Sequence, residues 1–159
     1  MLGMIIRNGK IVNSSGIVEG DLLIEAGKIV GITRRGEIGA ARRVLDADGR
    51  YIVPGGIDSH SHIGQMPGDD QPRVQTQEQN FESESTSALY GGVTTAINYI
   101  FTQESLEVAF ERFRKLAETH SLVDIKFHGA LMNELHLQNI QRYVREFGIA
   151  SYKIFMPYK

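Results

Sequence analysis

The sequence contains no cysteine. Disulfides, thiolate nucleophiles and thiolate metal sites are excluded, so any metal bound here must sit on nitrogen and oxygen ligands. No apolar run approaches the ~20 residues that cross a bilayer, and residues 1–10 lack the apolar core of a signal peptide. A dense basic run is missing too. The pairs Arg34-Arg35 and Arg42-Arg43 stand alone in a chain with 17 Lys+Arg, 19 Asp+Glu and a formal net charge of −2. Neither nucleic acid nor a membrane is an expected partner, and a soluble, cytoplasmic protein is expected. What is present is ordinary globular composition, 42% hydrophobic and 23% charged over 159 residues. That suffices for a packed core in one domain, or one domain with a small module.

Residues 1–53 carry strand and turn signals without a helical period. Short apolar, β-branched runs (Met4-Ile5-Ile6, Lys10-Ile11-Val12, Leu22-Leu23-Ile24, Ile29 to Ile32, Tyr51-Ile52-Val53) are divided by Asn8-Gly9, Ala26-Gly27 and Asp48-Gly49. Asn-Gly and Asp-Gly fit turns that need positive φ, so this stretch predicts a small all-β module of hairpins. Fewer than roughly 60 residues bury too little apolar surface for a secure core, and the module is expected to lean on something else. From Pro54-Gly55-Gly56 onward, apolar runs alternate with helical ones. Strands are expected at 56–63, 93–100, 123–131 and 150–156. Helices are expected around 81–90, over 105–120 with Thr102 or Ser105 as cap, and over 135–147, which stops at Gly148. This β-α-β-α-β-α-β order implies a parallel sheet. The polar stretch 64–80 after the first strand reads as a long loop, and such loops build sites at strand C-termini.

Asp58-Ser59-His60-Ser61-His62 lies in the first of these strands. With period-two alternation, His60 and His62 share a face roughly 6.5–7 Å apart along the strand. Two imidazoles so placed can converge on one metal; the bland alternative is a pair of hydrogen-bonded core histidines, costly in an apolar strand if unpaired. Asp58 has the same parity and is expected to support the histidines rather than to ligate. The second signal is Lys153, between Tyr152 and Ile154-Phe155-Met156 in what reads as a buried strand. A buried ammonium must be compensated. Either Lys153 snorkels from an edge, or its neutral amine carries CO2 as a carbamate, an oxygen ligand able to bridge two cations.

The segments 54–62 (Pro-Gly-Gly-Ile-Asp-Ser-His-Ser-His) and 151–159 (Ser-Tyr-Lys-Ile-Phe-Met-Pro-Tyr-Lys) resemble the dihydropyrimidinase and hydantoinase branch of the amidohydrolase superfamily. The resemblance covers the whole chain, with Gly91-Gly92-Val93-Thr94-Thr95 resembling the start of that family's second barrel strand. It implies an α/β fold: residues 1–53 as the N-terminal part of a β-sandwich module, and 54–159 as the first four strands and intervening helices of a TIM-like (β/α)8 barrel. It implies two divalent metal ions, zinc by the family's habit, with His60 and His62 as ligands and Lys153 as the carboxylated, bridging lysine. It also implies Tyr158 as the catalytic group that stabilises the oxyanion, and a small cyclic amide as substrate. The reaction implied opens a dihydropyrimidine or hydantoin ring to an N-carbamoyl amino acid in a homo-oligomer, a tetramer by the same resemblance. The family's other ligands, two histidines and an aspartate from later strands, match no positions here, and a barrel needs eight strands. The 159 residues alone are therefore expected to be inactive. His120 and His136 read as exposed helix-end residues, and His128 as a lining residue without a ligand role. Allantoinase- or dihydroorotase-like hydrolysis is the nearest alternative, and a non-catalytic assembly protein related to dihydropyrimidinase is another.

Overall fold

The computed structural model describes residues 2–65 and 75–156. The chain forms two compact units, divided between Pro54 and Gly55.

The first unit is a single five-stranded sheet: β1 (Leu2–Asn13), β2 (Gly16–Glu25), β3 (Lys28–Thr33), β4 (Ala41–Asp46) and β5 (Tyr51–Ile52). The order is β3-β2-β1-β4, with β5 also on β1. The β1–β2 and β2–β3 pairs are antiparallel, whereas β4 and β5 run parallel to β1. Ala26-Gly27 and Asp48-Gly49 are the expected turns, with φ of 49° and 74° and of 52° and 74°. Asn8-Gly9 is not a turn: it lies inside β1 as a bulge, Asn8 having φ 55° and the register shifting between Ile6 and Gly9. The Asn8 N–H, freed from the ladder, donates to Asp21 Oδ1 at 3.0 Å, and Asp21 Oδ2 accepts the Gly36 N–H at 2.8 Å. Thus Asp21, 1% exposed, is a buried carboxylate satisfied by backbone donors. Strand β4 had no sequence signal, because Arg42-Arg43 interrupts its apolar run. Ile5, Ile11, Leu22 and Leu23 are buried, while Ile29, Val30, Leu45 and Tyr51 remain at least half exposed.

The second unit carries a parallel sheet of β6 (Gly56–Ser61), β7 (Val93–Ile100), β8 (Asp124–Ala130) and β9 (Tyr152–Lys153), in that order. The helices are α1 (Gln77–Tyr90), α2 (Leu106–His120), α3 (Glu134–Gln138) and α4 (Ile140–Phe147). Parallel strands taken in sequence order, each joined to the next through helix, are the first four strands and intervening helices of a (β/α)8 barrel. Ala96, Asn98 and Ile100 alternate along β7 at 0–1% exposure, and Ala96 and Ile100 pack with Phe81 of α1, Phe113 of α2 and Tyr143 of α4.

Element boundaries differ from expectation at four places, and at two of them a local hydrogen-bond pattern gives the reason. Helix α1 begins at Gln77 because Thr76 and Gln79 form a capping box, each side chain accepting the other's backbone N–H at 3.3 and 2.9 Å. That shortens the expected 64–80 loop, of which residues 66–74 lie outside the described residues. The single helix expected over 135–147 breaks at Asn139, which ends α3 with its Nδ2 on the Leu135 carbonyl at 2.8 Å. Ser105 caps α2 and Gly148 ends α4 at φ 67°. The strand expected over 150–156 pairs only at Tyr152 and Lys153, opposite Gly129 and Ala130, and the first strand stops at Ser61.

Candidate metal centre

The His60-His62 pair is placed by an irregularity in β6. Asp58 is in register with Ala96 and Ser61 with Asn98, so three steps on β6 span two on β7. This bulge moves Asp58 off the face it was expected to share with the histidines. Asp58 follows Ala96 to the helix-bearing side, where with Asn80 and Glu84 it bounds a cavity of about 500 Å³. Its Oδ1 accepts the His60 N–H at 3.0 Å, capturing a backbone donor that the bulge leaves outside the ladder. Ser61 also faces the helix side: its hydroxyl donates to Asn98 Oδ1 at 3.2 Å, and Asn98 Nδ2 donates to the Ile63 carbonyl at 2.7 Å. These bonds clamp the C-terminal end of β6 to β7 and turn the histidines the other way.

On that opposite side the His60 and His62 rings lie nearly parallel, 11° apart, and their Nε2 atoms share a hydrogen bond at 3.2 Å, one ring donating and the other accepting. Two nitrogens on one tetrahedral zinc, each at about 2.0–2.1 Å, are separated by about 3.3 Å. The pair therefore already has the spacing of two ligands on one cation. His62 is held below the ordinary imidazole value of 6.5, first because the rings packed on its flank desolvate it, then through the charges of His60 and Lys153. A neutral imidazole is the form that ligates metal. Among the described residues no three of His, Asp or Glu come together as a metal cluster, so Asp58 does not join the pair as a third donor.

Lys153 is half-buried rather than fully enclosed. Its Nζ stands over three rings, 4.9 Å from the centroid of Tyr99, 5.5 Å from Phe101 and 4.9 Å from Phe155. Each such contact is worth about 0.5–2 kcal/mol to an ammonium. The burial problem raised by its flanking residues is thus met by aromatic faces. Tyr158 lies outside the described residues.

His136 is the clearest correction. Expected at an exposed helix end, it is fully buried. Nδ1 accepts the Met132 N–H at 3.2 Å, which assigns the proton to Nε2, and Nε2 donates to the Glu104 carbonyl at 2.7 Å. It staples the loops that follow β7 and β8. His120 is partly shielded, with Nδ1 2.8 Å from Glu82 Oε1. His128 hydrogen-bonds Ser151 and lies 4.8 Å from the Tyr99 ring. The residues missed from the sequence are Tyr99 and Phe101. Their only signal is parity, two residues apart at the end of a strand whose other parity, Asn98 and Ile100, is buried under the helices.

Comparison with known proteins decides the kinship. The amidohydrolase family model matches residues 51–154. The chain belongs to the amidohydrolase family. It is 38% identical to a D-hydantoinase of Geobacillus stearothermophilus over 98% of its own length and 32% of that protein's. Identity to a dihydropyrimidinase of Rattus norvegicus is 31%, over 98% of this chain and 31% of the relative. A solved D-hydantoinase structure superposes with TM-score 0.82 at 36% identity, covering all of this chain and 34% of the other. The L-hydantoinase of Arthrobacter aurescens superposes at 0.78 with 31% identity, over 96% of this chain and 32% of the other. This amidohydrolase chain spans about a third of the relatives it matches. Amidohydrolases generally use divalent metals, in keeping with the paired imidazoles.

Proposed function

We propose that the protein containing this chain is a metal-dependent hydrolase of cyclic amides, opening a dihydropyrimidine or hydantoin ring to an N-carbamoyl amino acid. The observation that carries this reading is the 3.2 Å approach of two imidazole Nε2 atoms on the sheet face that also holds Lys153. Likeness along the whole chain to D-hydantoinases and a dihydropyrimidinase supports the substrate class.

In this reading His60 and His62 hold one cation through Nε2. The Lys153 ammonium would lose one proton to solvent, its neutral amine nitrogen would bond to the carbon of CO2, and a second proton would then leave that nitrogen to solvent. The carbamate would offer oxygen ligands to divalent ions held beside the two histidines. Two divalent ions, zinc by preference, supply when bound a Lewis acid for the ring carbonyl and an activated water. Tyr158 donates its hydroxyl to the oxygen that gains charge as the carbonyl carbon is attacked, the role of an oxyanion hole. Tyr99, Phe101 and Phe155 wall one side of the site, while Asp58 holds the His60 backbone. A homo-oligomer, a tetramer, working in the cytoplasm belongs to the same reading. Among the described residues no helix is long and apolar enough to cross a membrane. A second, non-catalytic reading has one point in its favour: the chain is also 31% identical to dihydropyrimidinase-related protein 5 of Mus musculus.

The test is the metal content of the purified parent protein. Zinc is expected at up to two equivalents with hydantoin or dihydrouracil turnover, and both are expected to be lost in His60→Ala/His62→Ala. Equal zinc in the two proteins refutes the ligand assignment; bound zinc without turnover favours the assembly role.

A further inference from the structure

Histidines that bind metal nearly always donate their second ring nitrogen to a carboxylate, carbonyl or water, which fixes the ring. Here Nδ1 of His60 and Nδ1 of His62 have no hydrogen-bond partner among the described residues; His60 is tied through its backbone N–H to Asp58 and through Nε2 to the His62 ring. The χ2 torsion of histidine is broad. The Nε2–Nε2 hydrogen bond ties the two rings to each other at 3.2 Å, so the orientation of the pair as a whole falls to the side chains packed on it.

We propose that Tyr99 is the positioning residue of this site, its ring replacing the missing hydrogen bonds as the wall that orients both imidazoles. Tyr99 lies 4.7 Å from the His60 ring at 52° and 5.9 Å from the His62 ring at 63°, tilted and edge-on geometries that aromatic pairs favour. Among the described residues it is the one side chain that meets His60, His62 and the Lys153 ammonium together. Phe101 reaches His62 and Lys153 but not His60. Tyr99 is itself fixed. Its backbone pairs with His128 in the β7–β8 ladder, and the His128 ring, held by Ser151, covers it at 4.8 Å and 31°. A chain of contacts thus runs from Ser151 and His128 on the β8–β9 side, through Tyr99, to the histidines on β6. The ring's shape and quadrupole do this work, and the hydroxyl has no partner among the described residues.

This inference rests on the metal reading of His60 and His62, and the experiment separates the two. Zinc chloride is titrated calorimetrically into the full chain, into Tyr99→Met, Tyr99→Phe and Tyr99→Leu, and into His60→Ala/His62→Ala. The fold of each is checked by circular dichroism and urea unfolding. Methionine fills the volume without a ring, and leucine serves if Tyr99→Met does not fold. Tyr99→Met is expected to weaken zinc binding about tenfold, the low end of losses from groups that orient metal ligands. Tyr99→Phe is expected to keep affinity within about twofold, a rescue that a general stability effect of the hydroxyl would not give. Parental affinity in a folded Tyr99→Met, with binding lost in the histidine double variant, overturns the positioning role and leaves the ligands standing. An equal loss in Tyr99→Phe overturns it as well. Undiminished binding in the histidine double variant removes the metal reading and the role of Tyr99 with it.

Discussion

Replacing His136 with alanine tests whether the loops at the C-terminal ends of β7 and β8 are held by one buried side chain. The substitution removes the acceptor for the Met132 N–H and the donor to the Glu104 carbonyl, at 3.2 and 2.7 Å. Each backbone group left unpaired in a partly dry site costs about 1–3 kcal/mol, and the cavity left by the ring adds to that. Relaxation and an entering water offset part of the sum, so the expected loss is about 3 kcal/mol. With an m-value of about 1.5 kcal/mol/M in urea, the midpoint should fall by about 2 M. His136→Gln, whose amide can accept from Met132 and donate to Glu104, should recover roughly half of the loss. Asn133 stays in place in either variant, its Nδ2 on the Gln103 carbonyl at 3.1 Å and its Oδ1 accepting the N–H of residue 136 at 3.0 Å. The effect therefore belongs to the imidazole and not to the cap of α3. Urea unfolding followed by circular dichroism gives both numbers. A His136→Ala midpoint within about 0.3 M of the parent would mean that the two hydrogen bonds carry no net stability, and the reasoning would fail.

Gly64 has φ 74°, and a Cβ there would run into the Phe81 ring; Gly64→Ala should cost at least about 1–3 kcal/mol from strain and clash together, read as a lower urea midpoint. Tyr143 is held above the ordinary phenol value of 10.0, first by burial and then by the Glu107 carboxylate, and burial does the same to Tyr152. The Ser105 hydroxyl and the Leu106 amide lie near enough to moderate the Tyr143 shift without completing a hydrogen bond. The unfolded chain loses these protons first, so this stability is present below about pH 10 and drains away as pH rises beyond it. Tyr143→Phe should flatten the alkaline limb of a stability–pH curve, and an unchanged limb counts against the assignment. Lys153→Met places a polarisable, uncharged chain against the same three rings, so stability should change by less than about 1 kcal/mol while ring opening by the parent protein is lost. Full activity in that variant ends the carbamate reading.

Much of the second unit was legible because its signals are local and periodic. Strand β7 matches its expected span, α2 shows its apolar face at helical spacing, and Gly148 stops α4. The misreadings share a cause. Thr76-Gln77-Glu78-Gln79 is a capping-box pattern, but it sits in a polar stretch where no apolar period draws attention to it. Asn139 breaks a helix whose apolar spacing continues across it, because an asparagine amide can bond a preceding carbonyl and compete with the next turn. Asn8-Gly9 carries a hairpin signature, yet Asp21, thirteen residues away, accepts the freed N–H and keeps the strand running through the bulge.

The site was legible in its residue types and only partly in its geometry, and the difference lies in what strand parity can carry. Strict alternation places Asp58, His60 and His62 on one face. The bulge between Asp58 and Ser61 adds a residue to β6, sends Asp58 to the helix side with Ala96, and leaves the imidazoles facing Tyr99. No single-strand pattern encodes that shift, because it is fixed by bonds to another strand: Ser61 to Asn98, and Asn98 to the Ile63 carbonyl. Lys153 shows the same limit from the other side. Its neighbours in sequence say that an ammonium needs compensation, but two of the three rings that supply it come from the end of β7 and the residue just after it, some fifty residues earlier in the chain. A strand of a (β/α)8 barrel is apolar on both faces, so Tyr99 and Phe101 look like core until the sheet is assembled. Only the pairing of β6, β7, β8 and β9 brings them against two histidines and a lysine.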